Sequence, residues 1–484
     1  MPVTRPAILR GLAANPGLDP LLLAPLLTAA DAAVLDALAR RADLPAPAAS
    51  ALARHPDPQL RRALAGNPSA APHAWRVLST DPDEAVRVAL ARGHSTDHRP
   101  AVDLPLPGDA QLALAADAAV PVRLALARRR DLSEPARLWL ATDPSAGVRE
   151  ALARSWPSPP EPVLRQLLTD PDPAVRRAAV SSAFSSALPA DLLPGLLADL
   201  ATREDAARHA LPPPATDPAA GGTAAGGAGP ARGVGVDVAG LVGDADPAVR
   251  EAVAGNPRVP LAAVLALADD PDEDVRVAVM LRPDLPDAER RRISSGVEPQ
   301  TYHVADWLRP AHASPAVRAA HARSPFVWCR RAVAFSSDLP AEAVAVLAAD
   351  EDHSVRLLLA EHHPDVPGHI LPDLVRSTGH ARWDLARHPA MPAGALAAMA
   401  LGEDTDLRRV AATAPNLPPA VAETLTRHAD DTTRAYVAAN PALPVPAVLA
   451  LLDDPDPRVA EAAARNPRLP PATAGRLLAA GAPR

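Results

Sequence analysis

The chain has 484 residues, 59 of them proline, with 57 acidic and 49 basic residues for a formal charge of −8; it contains no lysine, so every basic residue is arginine. Hydrophobic residues make up 48%, which excludes wholesale disorder, while the proline content excludes long uninterrupted helices, because each interior proline removes a hydrogen bond and clashes with the preceding turn. The acidic balance argues against a dedicated nucleic-acid binder, and a single cysteine, Cys329, excludes an intrachain disulfide and cysteine-based metal centres.

At the N-terminus, Arg5 and Arg10 precede the apolar run Leu21–Leu27, a weak likeness to an export signal. Pro20 and Pro25 interrupt it, and the repeat described next passes through it in register, so a cytoplasmic location is expected. No apolar stretch reaches the 18 residues of a membrane span.

The chain repeats itself. Residues from Asp244 read D-A-D-P-A-V-R-E-A-V-A-G-N-P-R-V-P, and those from Asp454 read D-P-D-P-R-V-A-E-A-A-A-R-N-P-R-L-P. With the arginine position as anchor, the copies fall at Leu9, Leu35, Arg61, Arg87, Arg123, Arg149, Arg176, Arg250, Arg276, Val304, Arg330, Arg356, Arg382, Arg408, Arg434 and Ala460. Eleven of the fifteen intervals are 26 residues, so the match is not chance composition. The first two places and the last lack arginine, as expected of terminal repeats without a neighbour.

Each copy carries start and stop signals. Asp-Pro predicts an N-cap with proline in the first turn, and the second Asp then lies in the first turn, where it suits the helix dipole. Asn-Pro ends the helix, and Leu-Pro opens a second short segment whose leucines, such as Leu265 and Leu267 or Leu449 and Leu452, are expected to face inward. The predicted fold is all-α: a right-handed α-solenoid of short two-helix repeats, α alternating with 3-10 or short α.

Odd intervals locate insertions. Ten extra residues lie around 94–108, and the 74 residues from Arg176 to Arg250 leave room for a degenerate repeat near Asp205–Pro214 and a loop. The expected organisation is an N-terminal solenoid segment 1–211 of about eight repeats, a flexible Pro/Gly/Ala-rich loop 212–236, and a C-terminal segment 237–484 of about nine.

The template D-P-D-P-x-V-R-x-A-x-A-x-N-P-x-L-P resembles the leucine-rich repeat variant family and, more distantly, HEAT-type repeats. The resemblance implies a superhelical stack used as a binding surface and no particular activity. Some family members carry an N-terminal cysteine cluster for iron and sulfur; this chain has no cysteine there.

The row of anchor arginines has two readings. It could grip phosphates along a groove. Alternatively it forms an internal ladder, since Asp lies six residues before the anchor at Asp81, Asp117, Asp143, Asp170, Asp244, Asp270 and Asp350, and HEAT-type repeats tie layers together with this pair. The ladder reading is favoured because the pattern follows the repeat and not one region. Whether the arginines point between layers or into solvent separates the two.

Departures from the template are better guides to a site. Tyr302, Trp307, Phe326 and Trp328, beside Cys329, Arg330 and Arg331, gather four of eleven aromatics, the residue types of interface hot spots; a locally thicker core is the competing account. His94 and His98 sit in the ten-residue insertion and form a second candidate contact region. His362, His363, His369, His380 and His388 crowd one stretch, but His363 and His388 stand where Asn-Pro stands elsewhere, and no metal-ligand spacing appears. No catalytic, cofactor-binding or metal residues are identified. The expected function is a non-enzymatic scaffold for a protein or peptide, in a bacterial source given the missing lysine; the alternative is a nucleic-acid-binding HEAT-like solenoid with an arginine-lined groove.

Overall fold

The computed structural model describes residues 4–27, 31–68, 70–93, 106–182, 188–209, 237–297, 300, 303–310 and 312–479. Among these it holds 33 short α-helices, a few 3-10 turns and no strand. The chain is a helical repeat solenoid. It divides into two compact units, one of residues 1–122 with 334–484 and one of residues 123–333.

The local chemistry of one layer accounts for its shape. Asp456 accepts a hydrogen bond from the Arg458 N–H and caps the Pro457–Arg465 helix, with Pro457 in the first turn. The helix ends at Asn466, whose extended backbone (φ −62, ψ 128) is the conformation imposed by the following proline. After Leu469 the Pro471–Ala479 helix returns. Small residues let the first helices of adjacent layers approach: Val459, Ala460, Ala463 and Ala464 of Pro457–Arg465 are buried, and the helix packs on Asp431–Ala438.

Two expectations are corrected at this level. The cap is the second aspartate of the D-x-D pair, not the first. Asp57, Asp83, Asp246 and Asp456 all cap, because only the residue adjoining the helix can reach its N-terminal N–H groups. The first aspartate instead accepts the N–H of the second, as Asp81 does from Asp83 and Asp454 from Asp456, and keeps a face for an ion pair. The inward leucines are Leu267 and Leu452; Leu265 is exposed, where a turn of 3-10 helix at Leu265–Asp269 rotates the side chains relative to an α-helix, and Leu449, in the Val445–Leu451 α-helix, is half-buried.

Layers are tied by a ladder of buried side chains at the helix end. Asn440 donates to the carbonyls of Ala412 and Ala414 at 2.7 and 2.9 Å, and Asn466 makes the same pair of bonds to Ala438 and Asn440. Asn67 reaches Ala39 and Arg41 likewise. Arginine takes this place twice: Arg41 bonds the carbonyls of Ala13 and Asn15, and Arg282 those of Ala254 and Asn256. These bonds satisfy the orphan carbonyls that every helix C-terminus leaves.

Within the unit of 1–122 and 334–484, the ladder does not stop at the last repeat. Asn15 donates to the carbonyls of Ala464 and Asn466, both at 2.9 Å, so the Thr4–Ala13 helix stacks on Pro457–Arg465 as the next layer. Arg10 adds two hydrogen bonds, from Nε and Nη2, to one carboxylate oxygen of Glu461. Gly11 faces the contact, where a Cβ would stand 2.2 Å from the Glu461 carbonyl oxygen. The first repeat therefore has a neighbour on both sides, contrary to the expectation for terminal repeats.

Insertions leave the stacking intact. Residues 94–105 lie outside the described residues, yet Arg87 still pairs with Asp117, 30 residues on, at 2.6 Å. Residues 210–236 also lie outside them. On either side, the Arg203–His209 helix packs on Pro247–Gly255, Arg203 pairs with Asp244, and Asn256 donates to the Ala207 carbonyl at 3.1 Å. The degenerate repeat thus holds its layer at 203–209, with Arg203 in the anchor's role.

Candidate interaction face

Most of the anchor arginines point between layers, while Arg276, Arg356 and Arg408 bond carbonyls of their own layer. Arg61 bonds both oxygens of Asp81 at 2.6 and 2.9 Å, and Arg123 with Asp143, Arg149 with Asp170, Arg250 with Asp270 and Arg434 with Asp454 repeat the arrangement. The remaining guanidinium nitrogen turns back to its own layer, as Arg87 does to the Asp81 carbonyl, Arg149 to Asp143 and Arg250 to Asp244. The planar fork is used on both sides. Hydrogen bonds from Arg250 hold the Asp270 carboxyl below the usual carboxylate range, against its burial. These arginines are structural ties, and little of them is left for a ligand.

The aromatic cluster is mostly interior. Phe326 and Trp328 are buried and stacked, with ring centroids 5.4 Å apart, and buried Arg290 lies over Phe326 at 5.6 Å. Arg331 is buried and donates to the Gln300 carbonyl at 2.6 Å. Arg330 is half-buried and turns to the Ser324 carbonyl as an anchor. Trp307, half-buried, donates its indole N–H to the Leu281 carbonyl at 3.0 Å and meets His321 edge-on. Tyr302, His94 and His98 lie outside the described residues. Burial pushes the Cys329 thiol up, so it is protonated beside its arginines.

The histidines behave as helix terminators. The ring nitrogen of His363 accepts the Asp365 N–H and that of His388 the Ala390 N–H, each at 3.1 Å, as the Asn440 side chain accepts from Ala442. Among the described residues no three His, Cys, Asp or Glu side chains are grouped as a metal would need.

The residues one and five places after the anchor are a helical turn apart, hence on one face, and clefts open there between layers. One is lined by Arg62, Gly66 and Ala89 among others, one by Glu251, Gly255 and Ala278, and one by Arg154, Ala178 and Ser181. In the unit of 1–122 and 334–484 this face carries Trp383 against Tyr436, with ring centroids 5.5 Å apart. Arg409, from the layer between them, bonds Asp430 at 3.1 and 3.2 Å. Tyr436 is exposed and Trp383 half-buried. Phe335 meets His362 on the same side, at 4.8 Å. Sequence reasoning missed Trp383, Tyr436 and Arg409. The available sign was that Trp383 and Tyr436 are aromatics in columns where Ala or a charged residue is common; Arg409 gave no such sign.

Among the described residues no helix is long and apolar enough to cross a membrane.

Comparison with known proteins places the repeat. Residues 431–456 match the family model of the leucine rich repeat variant. Among solved structures, the chain is similar to one titled a leucine-rich repeat variant with a novel repetitive protein structural motif, at 20% identity and a TM-score of 0.23, covering 67% of this chain and 87% of that one. It is also similar to an engineered protein, at 16% identity and a TM-score of 0.17, covering 92% and 97%. No curated protein matches the chain.

Proposed function

We propose, for a chain that carries the leucine rich repeat variant repeat, that it is a non-enzymatic scaffold whose first-helix face binds a protein or peptide in the cytoplasm. One observation carries the reading: most of the repeated arginines are spent on aspartates between layers, while the neighbouring columns differ from layer to layer. A constant frame with a varied face is what recognition of an extended partner requires. Trp383 and Tyr436 supply large, stiff contact area of the kind that dominates interface energetics.

The nucleic-acid alternative loses its main support once the arginine ladder is internal, because phosphate neutralisation needs exposed cations. The test is affinity capture with the wild-type chain and with a Trp383→Ala/Tyr436→Ala double variant. A partner retained by the first and lost by the second supports the scaffold. If no captured protein depends on these two side chains, this face is not the contact, and a mobility shift with nucleic acid at low salt would revive the alternative.

A further inference from the structure

We propose that the cleft between the Ala146–Ser155 and Pro173–Ser182 helices binds a phosphate monoester. This rests on the reading of the first-helix face as a binding face and names the chemistry at one place on it. The cleft measures about 600 Å³ and is lined by Arg130, Arg137, Arg154, Trp156 and the serines 155, 158, 181 and 182, with no aspartate or glutamate in its wall.

The arginines here differ from those of the ladder. Arg123, Arg149 and Arg176 are each matched by an aspartate of the next layer. Among the described residues, no carboxylate forms an ion pair with Arg130 or Arg137: neighbouring Asp131 is taken by Arg129, and Arg154 holds Glu150 from its own helix. Arg137 is fixed in place, its guanidinium over the Trp156 ring at 5.2 Å and one nitrogen donating to the Arg130 carbonyl. Burial already disfavours its charged form. Arg137 is thus held on the cleft without an ion-pair partner, and the exposed Arg130 stands beside it, an arrangement that an anion stabilises.

The shape of the donors selects the anion. Guanidinium forks match the oxygen spacing of phosphate and carboxylate, but several arginines converging on one wall suit a doubly charged group with three terminal oxygens. The hydroxyls of Ser155, Ser181 and Ser182 donate to Ala127, Asp205 and Ala179, which leaves Ser158 as the hydroxyl donor. The cleft is larger than a phosphate ion, which leaves room for the group that carries it. That group is either a phosphorylated side chain or a small phosphorylated metabolite, and the phosphate chemistry is common to both.

The test is calorimetric titration of the full chain, at fixed ionic strength, with a capped Gly–phosphoserine–Gly tripeptide, its unphosphorylated twin and inorganic phosphate. Saturable 1:1 binding of a phosphorylated probe, with the twin silent, is expected; tighter binding of the tripeptide marks a phosphopeptide site, and tighter binding of inorganic phosphate marks a site for small phosphates. Arg130→Ala is expected to weaken binding about tenfold or more. Its side chain is exposed, and the carbonyl that holds Arg137 remains, so thermal unfolding is expected to match the wild type. Arg62→Ala, in another cleft, is expected to bind as the wild type does. Absence of saturable binding overturns the proposal, as does wild-type affinity in Arg130→Ala or an equal loss in Arg62→Ala. Those failures leave the scaffold reading standing, because its test uses Trp383 and Tyr436.

Discussion

Asn15 donates its side-chain amide to the carbonyl of Asn466 at 2.9 Å, the same bond that Asn466 makes to Asn440. One residue at the start of the chain and one near its end are consecutive rungs. The geometry is that of any interior pair, so the contact is specified by the repeat and not by a special docking device.

The energetic consequence is direct. Asn15→Ala removes two buried hydrogen bonds and leaves two carbonyls unsatisfied, which costs about 2–3 kcal/mol. Asn440→Ala, in the interior of the stack, is expected to cost a similar amount. Urea titration of the two variants compares them; an Asn15→Ala midpoint equal to that of the wild type would mean that the first repeat is not held by the last.

Gly11 provides a steric counterpart. A Cβ there would stand 2.2 Å from the Glu461 carbonyl oxygen and 2.7 Å from the Ala464 Cβ, both backbone or backbone-attached atoms that cannot rotate away. Gly11→Val is therefore expected to separate the Thr4–Ala13 helix from Pro457–Arg465, raising hydrogen exchange in both helices. At Gly394 nothing lies within 4 Å of the added atom, and Gly394→Ala is expected to raise stability by about 0.5–1 kcal/mol, since glycine within a helix is costly.

Acid should unfold the stack from its ion pairs. Hydrogen bonds from Arg250 and Arg409 hold the Asp270 and Asp430 carboxyls below their ordinary range, outweighing burial. At Asp81 and Asp170 burial pushes upward but is outweighed by Arg61, Arg149 and backbone N–H groups. A depressed folded pKa gives stability that is complete above the unfolded value of about 3.9 and lost as pH falls through the folded one. Tm is expected to decline slightly from about pH 6.5 to 5, as burial holds the His303 and His388 imidazoles below their ordinary range, and to drop steeply below about pH 4. Asp270→Asn should lower Tm at neutral pH and reduce the acid slope.

Cys329 lies in the core with its thiol pushed up by burial. A thiol-specific reagent at pH 8 is expected to label it only after denaturant is added. Rapid labelling of the native chain would place the Phe326–Trp328 segment at the surface.

Much of this was legible in the sequence because period and chemistry coincide. The 26-residue spacing announced the layers, and Asp six places before Arg announced the ladder, since both residues recur together. What stayed hidden depends on three-dimensional proximity. Trp383 and Tyr436 are 53 residues apart in the chain and meet only because alternate layers bring adjacent columns, one and two places after the anchor, to the same face. Arg41 and Arg282 look like exceptions to an asparagine rule, yet their long side chains reach the same two carbonyls. The aromatic segment near 326 was visible as a cluster, but composition does not distinguish a ring that fills a core from one that faces a partner. The pairing of the first and last repeats is invisible to any local pattern.

That last pairing has a consequence for biosynthesis. Arg10 and Glu461 are 451 residues apart in the chain, so at about 5–20 residues per second the ribosome makes the second roughly 20–90 seconds after the first. Every other layer meets a neighbour as soon as the next few dozen residues emerge. The Thr4–Ala13 helix packs early on Ala32–Ala39 on one side, while the face that Pro457–Arg465 covers waits for the synthesis of that distant helix.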